Sequence, residues 1–235
     1  MTFVSGHETR ASLLRNCFLF ADLEPDILIK VASVTTPQSF GKGQLLFERG
    51  DEPNGLFVVV DGLIRVWINS EDGRELTLNL IEPGDALGEI ALLDGLPRTA
   101  NATAIEASQT LCVPQSQFSA LLDSEPGLAR HIIELLCERL RRNTEDLSNF
   151  AFLDLRQRLA AKLVDLAFAH ATITDNSARF HRRFSQTALA QMLAVSREAV
   201  NKALSALSQQ DLVAIEGGMI SIPDIEKLKN LVRAP

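Results

Sequence analysis

The sequence predicts an α+β fold in three parts. These are a β-rich N-terminal half of the sandwich or jelly-roll type, one long helix, and a C-terminal pair of short helices closed by a hairpin. Three observations predict it. Between positions 38 and 115, glycines at 41, 43, 50, 55, 62, 73, 84, 88 and 95 punctuate short β-prone runs, the texture of many short strands joined by turns. From about 125 the apolar period becomes helical and stays so for roughly 25 residues. Beyond 184, two capped apolar stretches flank a tight turn, and a β-prone pair follows around Gly217-Gly218.

Taken in order, residues 9–35 carry Leu13, Leu14, Phe18, Leu19, Ile27, Leu28 and Val31 at helical spacing. The β-prone runs are Gln44–Phe47, Leu56–Val60, Leu63–Ile68, Leu76–Ile81 and Ala102–Val113, separated by turn signals such as Asp51-Glu52-Pro53-Asn54-Gly55 and Glu82-Pro83-Gly84. Leu128, Ile132, Leu136, Leu140, Leu147 and Phe150 trace one stripe of a helix long enough to pair in a coiled-coil manner. The charges in its middle (Arg139, Arg141, Arg142, Glu145, Asp146) read as a solvated face. Phe152-Leu153-Asp154 ends this helix, and Asp154 can cap another that runs to about His170. Residues 171–183 are polar and read as irregular. The expected domains are 1–124, 125–153 and 154–235, joined at helix junctions.

Composition narrows the function. The 235 residues are 46% apolar, and no uncharged apolar run reaches the ~18 residues of a membrane span. The N-terminus lacks a signal-peptide pattern. Cys17, Cys112 and Cys137 are odd in number and scattered, which points to reduced thiols in a cytoplasmic protein. The net charge of −7 is uneven: residues 154–235 hold 11 Lys and Arg against 8 Asp and Glu, whereas 1–153 hold 12 against 22. A basic module joined to an acidic one is the expectation. His7, His131, His170 and His181 all lie outside the β region. A jelly-roll metalloenzyme, which would need His and carboxylates on its strands, is therefore disfavoured, and no metal site is expected. No nucleophile–base pair stands out, so the chain does not read as an enzyme.

Two stretches carry chemistry. Gly88-Glu89-Ile90-Ala91-Leu92-Leu93-Asp94-Gly95-Leu96-Pro97-Arg98-Thr99 suits a sugar phosphate. The planar fork of Arg98 matches phosphate oxygens, and an ionised Glu89 can only accept, as a ribose hydroxyl requires. Gly88 permits close backbone approach, and Ile90 and Ala91 supply the apolar turn. Thr99 adds a hydroxyl. The second stretch begins at Ser185, an N-cap with Phe184 and Leu189 placed as a staple. After a turn at Ala194-Val195, Ser196 caps a helix that turns Val200, Ala203, Leu204 and Leu207 inward and Arg197, Glu198, Asn201, Lys202 and Ser205 outward. This is a helix-turn-helix pattern. Its outer face suits a major groove, since Arg can bond guanine and Glu can accept from cytosine N4. The β-prone pair about Gly217-Gly218 reads as a hairpin wing.

The first stretch resembles the phosphate-binding cassette of cyclic-nucleotide-binding domains, and Ser196-Arg197-Glu198 resembles the start of a CRP recognition helix. Over about 20–232 the chain is similar to CRP/FNR transcription regulators, in their cAMP-receptor branch. The resemblance implies an N-terminal β-jelly-roll cyclic-nucleotide-binding domain, a dimerisation helix and a winged helix-turn-helix. It also implies cAMP or cGMP as effector, a homodimer on palindromic double-stranded DNA with TGTGA-like half-sites, contact with RNA polymerase, and no membrane. Arg98-Thr99-Ala100 resembles cGMP-compatible cassettes, whereas bacterial cAMP receptors typically carry Ser at 99. Asn143 and Thr144 fall where family receptors place a Thr-Ser pair facing the purine; the alternative reading of Asn143 is a register-setting residue of a helix seam. Lys202 stands where an Arg is usual and Asn201 where a Gly is usual. The alternative is the same fold answering a redox, haem or other signal, or none. An iron–sulfur cluster is disfavoured because four clustered cysteines are absent; Cys17 or His7 would be the haem candidates.

Overall fold

A computed structural model describes residues 6–233, and these separate into two compact units: 6–69 with 77–140, and 70–76 with 141–233. The first unit opens with helices α1 (His7–Arg15) and α2 (Pro25–Val34), with a 3-10 turn at Phe18–Phe20 between them. The single helical stretch expected over 9–35 is thus broken. Pro25 lacks an N–H and has a helix-ready φ, so it starts a new helix rather than continuing the old one.

Eight strands follow: β1 (Thr36–Phe40), β2 (Leu45–Phe47), β3 (Gly55–Asp61), β4 (Ile64–Asn69), β5 (Glu75–Ile81), β6 (Ala86–Leu87), β7 (Asn101–Ala104) and β8 (Ser108–Pro114). They form two four-stranded sheets, ordered β1-β8-β3-β6 and β2-β7-β4-β5. Phe40, Phe47, Phe57, Ile64, Ile81, Leu87 and Ala102 from both sheets form one buried cluster. The run expected over Ala102–Val113 is two strands, because 105–107 leaves one sheet and enters the other. β1 was not anticipated from its sequence, which contains Pro37. It lies on a sheet edge, where a missing N–H is tolerated.

The short α3 (Glu89–Asp94) connects β6 to the segment before β7. After β8 come α4 (Gln115–Ser124), a helix beyond the elements expected from the sequence, and the long α5 (Pro126–Phe152). Phe118, Leu128 and Ile132 join Leu14, Phe20 and Leu28 in a second buried cluster. The α5 stripe is buried only at its start: Leu140, Leu147 and Phe150 are 66%, 67% and 63% exposed.

The second unit holds α6 (Leu155–His170), β9 (Ala171–Thr174), β10 (Ser177–Phe180), α7 (Gln186–Leu193), α8 (Arg197–Gln209), β11 (Ala214–Glu216), β12 (Met219–Ile222) and α9 (Ile225–Arg233). Asp154 caps α6 in a reciprocal box with Gln157, as its side chain predicts. The strands make a sheet ordered β11-β12-β10-β9. Residues 171–183 are therefore not irregular: most of them form a hairpin turned by Asp175-Asn176, both at positive φ. Short polar side chains tolerate that region, so the Asp-Asn pair was the available signal.

Candidate functional site

Two sites emerge, one in each unit. In the first, β6 pairs with β3 through Phe57↔Leu87 and so delivers Gly88 and Glu89 beside Gly55. Gly88 caps α3 at φ 92°, a left-handed conformation that favours glycine. A Cβ there would sit 2.5 Å from Arg98 Nη1, so Gly88 is required for the arginine as well as for the turn. Gly88, Glu89, Ile90, Ala91, Arg98 and Thr99 all line one cleft, together with Phe47, Leu87, Ala100 and Arg139. The contiguous motif therefore converges on one cleft.

Arg98 and Glu89 are 2% and 1% exposed. They do not pair with each other. Arg98 donates to Gly88 O at 2.6 Å, to Gly55 O at 2.7 Å and to Asn54 Oδ1 at 2.9 Å. Its guanidinium lies 4.3 Å from the Phe47 ring centre, a stacked cation–π contact. Its backbone is held on both sides, by Arg98 N donating to Asp51 O and by Gly50 N donating to Arg98 O. Burial, the largest influence, pulls the guanidinium below its usual pKa, and the nearby Cys112 and Glu89 oppose it. Glu89 Oε1 accepts from Arg139 Nη1, and Arg139 Nη2 donates to Ala86 O at 2.7 Å. Arg139 is thus no member of a solvated face. It reaches from α5 into the cleft, a contact spanning 50 positions that no local sequence signal announces.

Two buried polar atoms in the cleft have no hydrogen-bond partner: Arg98 Nε and Glu89 Oε2. Orphaned buried groups cost about 1–3 kcal/mol each. A donor on a cation and an acceptor on a carboxylate, both unspent, suit a ligand carrying an anion and a hydroxyl. Among the described residues no group of three or more His, Cys, Asp or Glu could hold a metal ion. Cys17 is buried, which pushes its thiol up to about 12, unlike the thiolate a metal ligand needs. Asn143 and Thr144 are exposed on α5 and belong to the second unit; the cleft lining does not include them.

In the second unit, the Ser185 hydroxyl accepts from Ala188 N at 3.0 Å and the Ser196 hydroxyl from Ala199 N at 3.2 Å. Both caps lie where the sequence places them. Ala194 makes the tight turn in the left-handed region, φ 54°. Val200, Leu204 and Leu207 pack inward with Leu189 and Leu193. Ser196, Arg197, Glu198, Asn201 and Lys202 are all exposed, along one face of α8. The Glu198 carboxyl is held below its usual pKa by its own backbone N–H and the Ser196 hydroxyl, so it stays ionised and acceptor-only. Gln186 Nε2, on α7, donates to Asn201 Oδ1 at 2.8 Å. The hairpin of β11 and β12 turns through Gly217-Gly218, both at positive φ, and flanks the pair of helices as a wing. Arg179, His181 and Arg183 are exposed beside it.

A jelly roll with a charged, buried cleft and a winged helix-turn-helix with a polar outer face define an effector-domain regulator of DNA. The comparisons with known proteins agree. Residues 37–125 match the cyclic nucleotide-binding domain, and residues 157–231 match the Crp-like helix-turn-helix domain. The chain is 28% identical to the CRP-like cAMP-activated global transcriptional regulator of Mycobacterium tuberculosis, over 94% of this chain and 99% of that protein. It is 29% identical to the cyclic AMP receptor protein of Thermus thermophilus, over 91% and 95%. The structure of FixK2 from Bradyrhizobium japonicum shares the fold, with a TM-score of 0.75 at 21% identity over 86% of this chain and 99% of that one. The chain belongs to the CRP/FNR family of transcription regulators and is not an enzyme. Among the described residues no helix is long and apolar enough to cross a membrane.

Proposed function

We propose that this protein is a homodimeric transcription regulator whose grip on DNA is set by a cyclic nucleotide, cAMP or cGMP. The observation that carries this is the buried, unspent pair in the cleft, Arg98 Nε and Glu89 Oε2. The cyclic phosphate is the anion that Arg98 takes, and the ribose 2′-OH donates to Glu89. Thr99, exposed at the rim, offers its hydroxyl to the 2-amino group of guanine. Asn143 and Thr144 are assigned to the purine by the family resemblance. The cleft encloses about 60 Å³, well below the ~300–1,000 Å³ of small-molecule sites.

The largely exposed apolar residues of α5, Leu140, Leu147 and Phe150, support a second copy of this chain as their cover, since a paired helix buries such a seam. In this scheme residues 1–124 sense, 125–153 pair and 154–235 read DNA. Ser196, Arg197, Glu198, Asn201 and Lys202 face a major groove. Two-fold symmetry then requires a palindrome with half-sites about one helical turn apart, of TGTGA-like sequence, with RNA polymerase as the downstream partner. The ligand acts by binding the DNA-competent arrangement more tightly than the other.

Calorimetric titration of the full chain with cAMP and, separately, cGMP tests the proposal. Saturable binding of either, at one site per chain, together with tighter DNA binding in its presence, is the expected result. Absence of binding by both overturns the effector assignment and leaves a DNA regulator answering another signal.

A further inference from the structure

Asn201 sits in the middle of the exposed stripe of α8, between Arg197-Glu198 and Lys202-Ser205. Its amide has a partner on the neighbouring helix. Gln186 Nε2, from the first turn of α7, donates to its Oδ1 at 2.8 Å. Gln186 is half-buried, so it is the better anchored member. Both helices are themselves fixed, by the Ser185 and Ser196 caps and by the Leu189, Leu193, Val200 and Leu204 packing between them. The bond therefore joins two rigid elements through a pair of side-chain amides.

The consequence concerns which bases Asn201 can recognise. A free asparagine reads adenine two-handed, its oxygen accepting from N6 while its amino group donates to N7. That contact needs both ends of the amide presented together. With Oδ1 drawn to Gln186, the end left to offer is the Nδ2 donor. A lone donor recognises a groove acceptor, such as guanine O6 or N7 or thymine O4, and loses the two-handed preference for adenine. We propose that Gln186 is a specificity-positioning residue. By engaging the Asn201 oxygen it makes Asn201 a donor-only reader of the DNA major groove. This rests on the DNA-reading role proposed above for α8.

The polarity of the pair supplies the test. Gln186→Ala releases both ends of the Asn201 amide. Gln186→Glu cannot donate to Oδ1 and accepts from Nδ2 instead, turning the oxygen outward toward base donors such as adenine N6 or cytosine N4. Binding-site selection from randomised duplexes, with saturating cAMP and in parallel saturating cGMP, is run on the wild type, both Gln186 variants, Asn201→Ala, and the Gln186→Ala/Asn201→Ala double variant. The expected result is a several-fold rise in adenine at one dyad-related position for Gln186→Ala. Gln186→Glu should enrich adenine or cytosine there, and the preference should flatten at that position for Asn201→Ala. The double variant should match Asn201→Ala alone, because Gln186 acts only through Asn201.

Base profiles identical between wild type and Gln186→Ala, with binding retained, overturn the proposal. So does a uniform loss of affinity across all sequences, which marks a structural or phosphate-contacting role. A wild-type protein that selects no sequence under either nucleotide overturns the DNA-reading role itself, and is distinguishable because it precedes any variant.

Discussion

Replacing Arg98 with leucine separates the bonds this side chain makes within the protein from the phosphate contact proposed for it. Leucine can keep an apolar contact with Phe47, but it leaves Gly88 O, Gly55 O and Asn54 Oδ1 without their donor. The two main-chain carbonyls are the costly losses, because they cannot turn away as Asn54 can. At about 1–3 kcal/mol per orphaned buried acceptor, with partial relaxation, destabilisation comes to roughly 2–4 kcal/mol. At about 2–4 °C per kcal/mol for a chain of this size, that is a fall in melting temperature of roughly 5–15 °C. The ligand term is separate. A charge-assisted hydrogen bond contributes about 1.5–3 kcal/mol, so loss of a phosphate anchor weakens nucleotide binding on the order of 10–100-fold for each bond lost. Thermal denaturation without ligand reads the first number and calorimetry, at a temperature where the variant is folded, reads the second. Nucleotide affinity within threefold of wild type would show that Arg98 does not hold the phosphate. An unchanged melting temperature would show that its carbonyl bonds do not support the β6–α3 junction. Arg98→Lys should fall between, since one ammonium cannot span these acceptors and a phosphate together.

Three further outcomes are expected. Thr99→Ala should weaken cGMP about fivefold and cAMP little, the loss of one neutral hydrogen bond of about 1 kcal/mol; equal losses in parallel titrations would remove the guanine contact. Arg197→Ala should cost about 1–3 kcal/mol at one symmetric base position and relax the preference there, measured by competition with single-base variants of the selected site; a loss indifferent to sequence would make it a phosphate contact. Ala194→Gly should stabilise the helix-turn-helix unit by about 1 kcal/mol, because Ala194 sits at φ 54°, ψ 42° and a left-handed L-residue costs ~1–2 kcal/mol. A lower melting temperature would mean that the extra freedom of glycine in the unfolded chain outweighs the relief.

The helix-turn-helix was legible because its determinants are local. Ser185 and Ser196 each satisfy an N–H three residues on, the apolar set from Val200 to Leu207 follows the helical period, and Gly217-Gly218 takes the positive φ values that a tight hairpin demands. Asp154 and the long α5 belong to the same kind. The cleft was half legible. Residues 88 to 99 are contiguous, so their convergence could be read from chemistry and order alone.

What fills and braces them is not contiguous. Asn54 and Gly55 approach Arg98 only because β6 pairs with β3, and Arg139 reaches Glu89 only because α5 packs over the sheets' helical cover. Where an element's residues point both ways, as in the β9–β10 hairpin, or include a proline, as in β1, periodicity falls silent and the partner strand decides. The chemistry on offer is written locally: an arginine whose donor fork suits a phosphate, a carboxylate that can only accept, a helix with a polar outer face, and the caps of both short helices. Only the tertiary structure decided how that chemistry is held. Arg98 is stacked and bonded to carbonyls, Glu89 is engaged by Arg139, and Asn201 is engaged by Gln186. Each of these contacts joins residues from different elements, whose distance depends on packing energies summed over the whole unit rather than on the preferences of any short stretch.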